Sequence, residues 1–214
     1  MSYDKKSLIK SLIETGFEAA RKGLVWGASG NISHRLDDST FMISGSGAYL
    51  EKLHENDFVT MNLEDEKWQG RAKPSIETKM HSEIYRIRKD INAVFHSQPF
   101  FTTLISCTSL EVDIKLFPES MVYIDKVGRV PYDHPGSLEL AEYVSENIKD
   151  CDIIILSNHG AICAADCLEN LILKTETLEM LCKIIAFSNV GEMELNYLPQ
   201  DVKDEFLRHL REIK

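Results

Sequence analysis

The chain has 214 residues, 43% of them hydrophobic and 27% charged, the make-up of an ordinary globular protein. A chain of this length removes roughly 70% of its unfolded surface from water, so a core can form without a disulfide or a structural metal, and one domain over residues 1–214 is the simplest reading. The formal net charge of −10 argues against sequence-independent nucleic-acid binding, which needs Lys and Arg to displace counterions from phosphates.

The five cysteines, Cys107, Cys151, Cys163, Cys167 and Cys182, are odd in number and form no C-x-x-C pair, which fits a reduced, cytoplasmic setting. Cys163 and Cys167 do not have the spacing of a zinc knuckle, and no second pair exists. Met-Ser-Tyr-Asp-Lys-Lys leads directly into a periodic, charged helix, so neither a signal peptide nor a membrane span is expected.

Along the chain, Leu8, Ile9, Leu12, Ile13, Phe17 and Ala20 recur at helical spacing and Gly23 follows as a stop signal. Short β-rich segments come next, at Ile32 to Arg35, Thr40 to Ile43 and Phe58 to Asn62, separated by turn residues. Pro74-Ser75 opens a helix from about Ile76 to Arg88, with Ile76, Met80, Ile84 and Ile87 on one stripe. Ala93 to His96 then reads as a buried strand that turns at Pro99. Ser137 is placed to cap a helix carrying Leu140, Ala141, Val144 and Ile148. Ile153 to Leu156 reads as a strand buried on both faces, Leu168 to Phe187 as a long helix, and Val202, Phe206, Leu210 and Ile213 as a last amphipathic one. Such a series predicts helices on both faces of a largely antiparallel sheet.

Three places carry polar residues that this architecture does not need. In His96-Ser97-Gln98, after an apolar strand, positions i and i+2 point the same way, so His96 and Gln98 project together. In Ser157-Asn158-His159-Gly160, the glycine permits a sharp turn that leaves His159 at another strand end. Either histidine taken alone is an ordinary hydrogen-bonded structural residue; two at the ends of core strands suggest ligands. Glu77, on the first turn of its helix, would be stabilised by the helix N-terminus by a few tenths to about 1 kcal/mol, and His81 one turn on is a possible partner. Gly27-Ala28-Ser29-Gly30-Asn31 and Ser44-Gly45-Ser46-Gly47 offer N–H groups and hydroxyls of the kind a phosphate needs. Neither matches a P-loop or a dinucleotide fingerprint, and on residue type alone they read as turns.

Taken in order, Ser29-Gly30-Asn31-Ile32-Ser33, Ile43-Ser44-Gly45-Ser46-Gly47, Pro74-Ser75-Ile76-Glu77, Ala93 to Pro99, Val130-Pro131-Tyr132 with Pro135-Gly136-Ser137, and Asn158-His159-Gly160 resemble the successive signatures of the class II aldolase and adducin family. That family is the one related to L-fuculose-phosphate aldolase and L-ribulose-5-phosphate 4-epimerase. The resemblance implies a three-layer α/β/α sandwich with a central, largely antiparallel sheet, assembled as a homotetramer with sites at subunit interfaces. It implies zinc or another divalent metal held by His96 and His159, with Glu77 as acid/base and Gly30, Asn31, Ser46, Gly47 and Ser75 lining a phosphate pocket. The implied reaction is metal-dependent cleavage of a small phosphorylated sugar or hydroxy-carbonyl compound through a metal-stabilised enediolate. An epimerase or dehydratase using the same chemistry, or a catalytically silent assembly or ligand-binding protein that keeps the fold, are the alternatives.

The departures all remove polar groups. Gln98 stands where the family's second H-x-H histidine belongs, so the amide oxygen of Gln98, or Glu77, would have to serve as third metal donor. Ile76 replaces a frequent phosphate-binding serine, Phe117 stands near the position of a catalytic tyrosine, and the last helix holds His209 but no tyrosine.

Overall fold

The computed structural model describes residues 4–213, without the side chains of Arg211 and Ile213. Its centre is an eight-stranded sheet built from β1 (Asn31–Arg35), β2 (Thr40–Ser44), β3 (Phe58–Asn62), β4 (Trp68–Gly70), β5 (Ala93–Ser97), β6 (Val127–Val130), β7 (Ile153–Leu156) and β8 (Gly160–Ala165). The spatial order is β4-β3-β2-β1-β5-β8-β7-β6. Every neighbouring pair is antiparallel except β6 with β7. That parallel pair is joined through a helix, as a parallel connection requires.

Alternation along the strands divides the apolar residues between two layers. Ile153 and Ile155 pack with Leu8, Leu12, Leu171, Leu178 and Leu181 on one face of the sheet. Ile154 and Leu156 pack with Met80, Ile84, Leu140 and Val144 on the other. The first layer is formed by α1 (Lys5–Arg21), α3 (Phe100–Ser106) and α6 (Leu168–Val190), and the second by α2 (Thr78–Ile87) and α5 (Leu138–Asn147). The short α4 (Pro118–Tyr123) lies against α6 and touches the last helix, α7 (Gln200–Ile213). This is the expected α/β/α sandwich around a largely antiparallel sheet.

Four expectations are adjusted. The buried stripe of α1 runs through Leu8, Ile9, Leu12, Thr15, Gly16 and Ala19, leaving Phe17 47% exposed, because α1 packs on the loop carrying Leu50 as well as on the sheet. The helix expected from Ile76 begins at Thr78, and Glu77 is its N-cap residue, with φ −92° and ψ 8°. Pro74 bridges to Gly45 at the end of β2, holding that segment against the sheet. A turn follows, closed by the Thr78 amide on the Ser75 carbonyl and the Glu77 amide on Ser75 Oγ. His159 does not end a strand but sits in the three-residue turn of the β7–β8 hairpin, beside Asn158 in the left-handed region at φ 57°. Among the residues of the amphipathic pattern in α7, Val202 is 40% exposed, and the Ile213 side chain lies outside the described residues.

Two glycines set how closely backbone crowds the end of β5. A Cβ on Gly30 would stand 2.7 Å from the His96 carbonyl oxygen, and one on Gly160 would stand 2.5 Å from that of Ser97. Both adopt positive φ, at 80° and 151°, a region side chains avoid. The segments before β1 and at the start of β8 therefore close on the end of β5 from two sides, at His96 and at Ser97. Gly160→Ala should destabilise the protein by at least about 1–3 kcal/mol from backbone strain alone, measured as a lower urea midpoint at unchanged m value.

Candidate metal centre

The nine residues that the family resemblance implies for the site border one cavity of about 240 Å3, lined among others by Gly30, Asn31, Ser46, Gly47 and Ser75 and by Glu77, His96, Gln98 and His159. Topology explains the convergence. Asn31 is in register with His96 across β1 and β5, and Leu156, the last residue before the His159 turn, pairs with Gly160. Strand ends from two sheet connections and the start of α2 thus open into the same space.

His96 is buried, at 1% side-chain exposure, and its Nδ1 lies 3.1 Å from the Ala161 carbonyl oxygen across the β5–β8 ladder. A carbonyl only accepts, so Nδ1 carries a proton and Nε2 is the nitrogen directed into the cavity. A bond from the other ring nitrogen is the usual way a metal-binding imidazole is held in its tautomer. Nε2 of His96 is 3.3 Å from Glu77 Oε2, and Nε2 of His159 is 3.3 Å from Glu77 Oε1. The two rings lie with centroids 4.6 Å apart.

These contacts would be ion pairs only if the imidazoles were protonated. Burial, followed by the nearness of the His96 ring, pushes the pKa of His159 down to about 4 against the opposing pull of Glu77, which leaves its ring neutral at pH 7. A ring nitrogen without a proton that faces a carboxylate oxygen is repelled by it, and a cation between the two relieves the repulsion. Glu77 Oε1 and His159 Nδ1 are buried without a hydrogen-bond partner, an arrangement that folded proteins seldom leave uncompensated. One donor atom from each of Glu77, His96 and His159 lies within 4.8 Å of the others. Two imidazole nitrogens and a carboxylate suit a divalent transition metal such as zinc, so these residues fit the ion that the family resemblance implies.

Gln98 lines the cavity with His96, as period two requires. The phosphate-type turns contribute Ser46, Gly47 and Ser75, with Ser75 Oγ already accepting from the Glu77 amide. No lysine or arginine lines the cavity among the described residues. Phe117 packs at the edge of the core layer formed by α1, α3 and α6, outside the cavity lining, and His209 lies on α7 beside Glu205 and Arg208.

The sequence reading missed what lies behind Glu77. His81 does not bond the carboxylate directly, as its helical spacing suggested. Asn31 stands between them, donating from Nδ2 to Glu77 Oε2 at 2.7 Å while its Oδ1 lies 2.6 Å from His81 Nε2. His81 Nδ1 is 2.7 Å from Ser33 Oγ, and Ser33 Oγ is 2.8 Å from the Tyr85 hydroxyl. The signal was present in the i, i+4, i+8 spacing of Glu77, His81 and Tyr85, but it could be read only with β1 laid alongside.

A mixed sheet between two helical layers, with imidazoles and a carboxylate gathered at its strand ends beside glycine-rich turns, is the architecture of the class II aldolase fold. The chain belongs to the class II aldolase and adducin family: the model described as Class II Aldolase and Adducin N-terminal domain matches residues 10–186. An L-fuculose phosphate aldolase of Methanocaldococcus jannaschii is 36% identical over 181 residues, spanning 85% of this chain and 94% of that one. A 3-oxo-tetronate 4-phosphate decarboxylase of Haemophilus influenzae is 28% identical over 198 residues, 90% and 93% of the two chains. Among solved structures, an L-fuculose 1-phosphate aldolase superposes with a TM-score of 0.88 at 23% identity, over 97% of this chain and 98% of that one, a likeness of fold. YgbL from Escherichia coli gives 0.85 at 26% identity, over 94% and 97%.

Because Gln98 shares the face of His96, a histidine there would point at the same place. Gln98→His should tighten zinc binding by at least about 10-fold, since even orienting partners outside the ligand set are worth 10 to 100-fold. Competition against a chromogenic chelator measures it, and an unchanged affinity would show that position 98 does not face the ion.

Proposed function

We propose that the protein is a divalent-metal lyase that breaks a carbon–carbon bond in a small phosphorylated sugar or related hydroxy-carbonyl compound. The observation that carries this reading is the convergence of Glu77, His96 and His159 on one cavity bordered by the phosphate-type turns. His96 and His159 would hold the ion, with Glu77, and the amide oxygen of Gln98 within the same lining, completing the donor set. When bound, a zinc or similar cation supplies Lewis acidity for the negative charge that develops on substrate oxygens during cleavage.

The remaining work falls to the chain. Asn31 pins one carboxylate oxygen of Glu77, leaving Oε1 free of hydrogen bonds and able to take or return a proton at the reacting centre. Gly30, Asn31, Ser46, Gly47 and Ser75 would hold the phosphate through N–H groups and hydroxyls, fixing the substrate's distance from Glu77. Burial of His96 and Glu77 keeps water from most of the centre. The substrate class follows the names of the relatives: fuculose phosphate, 5-deoxy-D-ribulose 1-phosphate and 3-oxo-tetronate 4-phosphate share a phosphate at one end and a carbonyl near the bond to be broken.

We read residues 1–214 as one domain that works as a homotetramer. Exposed Phe17, Phe100, Met180, Phe187 and Val190 on the α1, α3 and α6 layer supply apolar surface for such an assembly. A cytoplasmic location fits five free thiols, and no described helix is long and apolar enough to cross a membrane.

The test is a panel of those three phosphates, with the metal-loaded protein and its Glu77→Gln variant, followed by appearance of the aldehyde, of dihydroxyacetone phosphate or of carbon dioxide. At least one substrate should turn over, and Glu77→Gln should lower kcat by about 100-fold or more, the scale of a lost acid/base group. No turnover by a metal-loaded parent across the panel would favour the catalytically silent reading. Sedimentation at micromolar concentration should give four times the chain mass, and a stable monomer would remove the tetramer.

A further inference from the structure

Behind Glu77, running away from the cavity into the α2 layer, lies a file of four buried polar side chains: Asn31, His81, Ser33 and Tyr85. Asn31 is 4% exposed and the other three 0%. Burying that many polar groups costs free energy unless each is paired, and the pairing here has one direction throughout.

A carboxylate can only accept, so the amide end facing Glu77 must be Nδ2, at 2.7 Å. Asn31 Oδ1 then faces inward and also only accepts, so His81 must donate to it from Nε2, at 2.6 Å. Burial pushes the His81 pKa down to about 3, so the ring is neutral at pH 7 and Nδ1 must be bare. Ser33 Oγ, 2.7 Å from Nδ1, therefore gives its only proton to His81. Its oxygen is then left to accept from the Tyr85 hydroxyl at 2.8 Å, a closer partner for that proton than the Asn92 carbonyl at 3.4 Å. Inverting any one member sets two acceptors or two donors against each other.

We infer that His81 is a positioning residue for Glu77: its Nε2–H tautomer, set by Ser33 and Tyr85, locks the Asn31 amide with its NH2 end on the carboxylate and so fixes which Glu77 oxygen is free. An asparagine amide is nearly symmetric in shape, so the partners at its two ends decide which way it faces. With its oxygen toward Glu77, Asn31 would repel the carboxylate and swing it away from His96 and His159. The residue acting on the substrate is thus oriented from a ring that never touches it. This inference builds on the proposed role of Glu77 in holding the ion and moving the proton.

The experiment has two parts, so that failure of the metal reading and failure of this inference are separable. In metal-free protein carrying nitrogen-15 histidine, with the His81 signals assigned by their loss in His81→Gln, His81 should be a neutral ring protonated at Nε2. The Asn31 side-chain NH2 should be protected from solvent exchange. An Nδ1–H ring, an imidazolium at pH 7, or a freely exchanging Asn31 amide overturns the inference whether or not metal binds.

In the second part, cobalt(II) is the probe, with affinity read by chelator competition and geometry by its d–d absorption. His81→Phe should weaken binding by about 10-fold or more, the scale of outer partners of metal ligands, and change the absorption. His81→Gln, which can still donate to Asn31 and accept from Ser33, should restore both. In the Glu77→Gln background His81→Phe should cost nothing further. An equal loss in both backgrounds would mean that His81 acts on the fold and not through Glu77, overturning the inference. Should His81→Phe fail to fold, Ser33→Ala, which withdraws the donor to Nδ1, takes its place in the same comparison. A parent that binds no cobalt would sink the metal reading, leaving the tautomer and exchange measurements to decide the inference.

Discussion

A buried carboxylate 3.3 Å from each of two imidazole nitrogens, one on a ring anchored by a carbonyl on its far side, is an arrangement the chain has to hold in place. Much of the surrounding fold reads as the machinery that maintains it. Glu77 is held at the N-cap of α2 because the segment at Pro74 bridges to Gly45, with the Ser46 amide donating to the Lys73 carbonyl, and Ser75 closes the turn after it. His96 is held by the ladder to β8, and His159 by a hairpin whose second strand begins on a glycine that fits against the Ser97 carbonyl. The His96 ring is fixed by a backbone carbonyl, whereas the Glu77 carboxylate takes its place from the Asn31 side chain, so the centre depends on strand geometry at one donor and on a buried side-chain contact at another.

The sheet makes this possible by carrying two cores at once. β5, β7 and β8 are buried on both faces and lie between helical layers that bury opposite sets of side chains from the same strands. Their ends are therefore rigid platforms, and polar groups placed there can be aimed without large conformational cost. The file from Asn31 to Tyr85 uses the same property. Asn31 and Ser33 are two apart on β1 and face α2, where His81 and Tyr85 lie four apart.

Much of this was legible in the sequence. β3 and β7 were found at their full extent, and β1, β2 and β5 to within one residue, because runs such as Ile153-Ile154-Ile155-Leu156 carry strong strand signals. β8 was missed because Gly-Ala-Ile-Cys-Ala-Ala is rich in small residues with weak strand preference, although its burial is complete. α3 was hidden by Pro99, which ends one element and caps the next. The edge strands β4 and β6 are short, and β4 is exposed along its length. At the site, the family resemblance pointed to nine of the lining positions, whereas residue type alone read the glycine-rich segments as turns, and the partners of Glu77 belong to register: Asn31 meets His96 across a ladder, a pairing no spacing along the chain reveals.

The cavity gathers a carboxylate, hydroxyls, amides and imidazoles, yet no lysine or arginine lines it among the described residues. A phosphate entering there meets dipoles and, close by, whatever charge the ion carries. Two ligands that share one electrostatic field cannot bind independently, and linkage makes the dependence mutual: the ion strengthens hold on the phosphate by the same factor by which the phosphate strengthens hold on the ion. Under the proposed function, with Gln98 in place of a third imidazole, that reciprocity would make substrate itself part of what retains the metal, and occupancy of the centre would follow the supply of the compound it acts on.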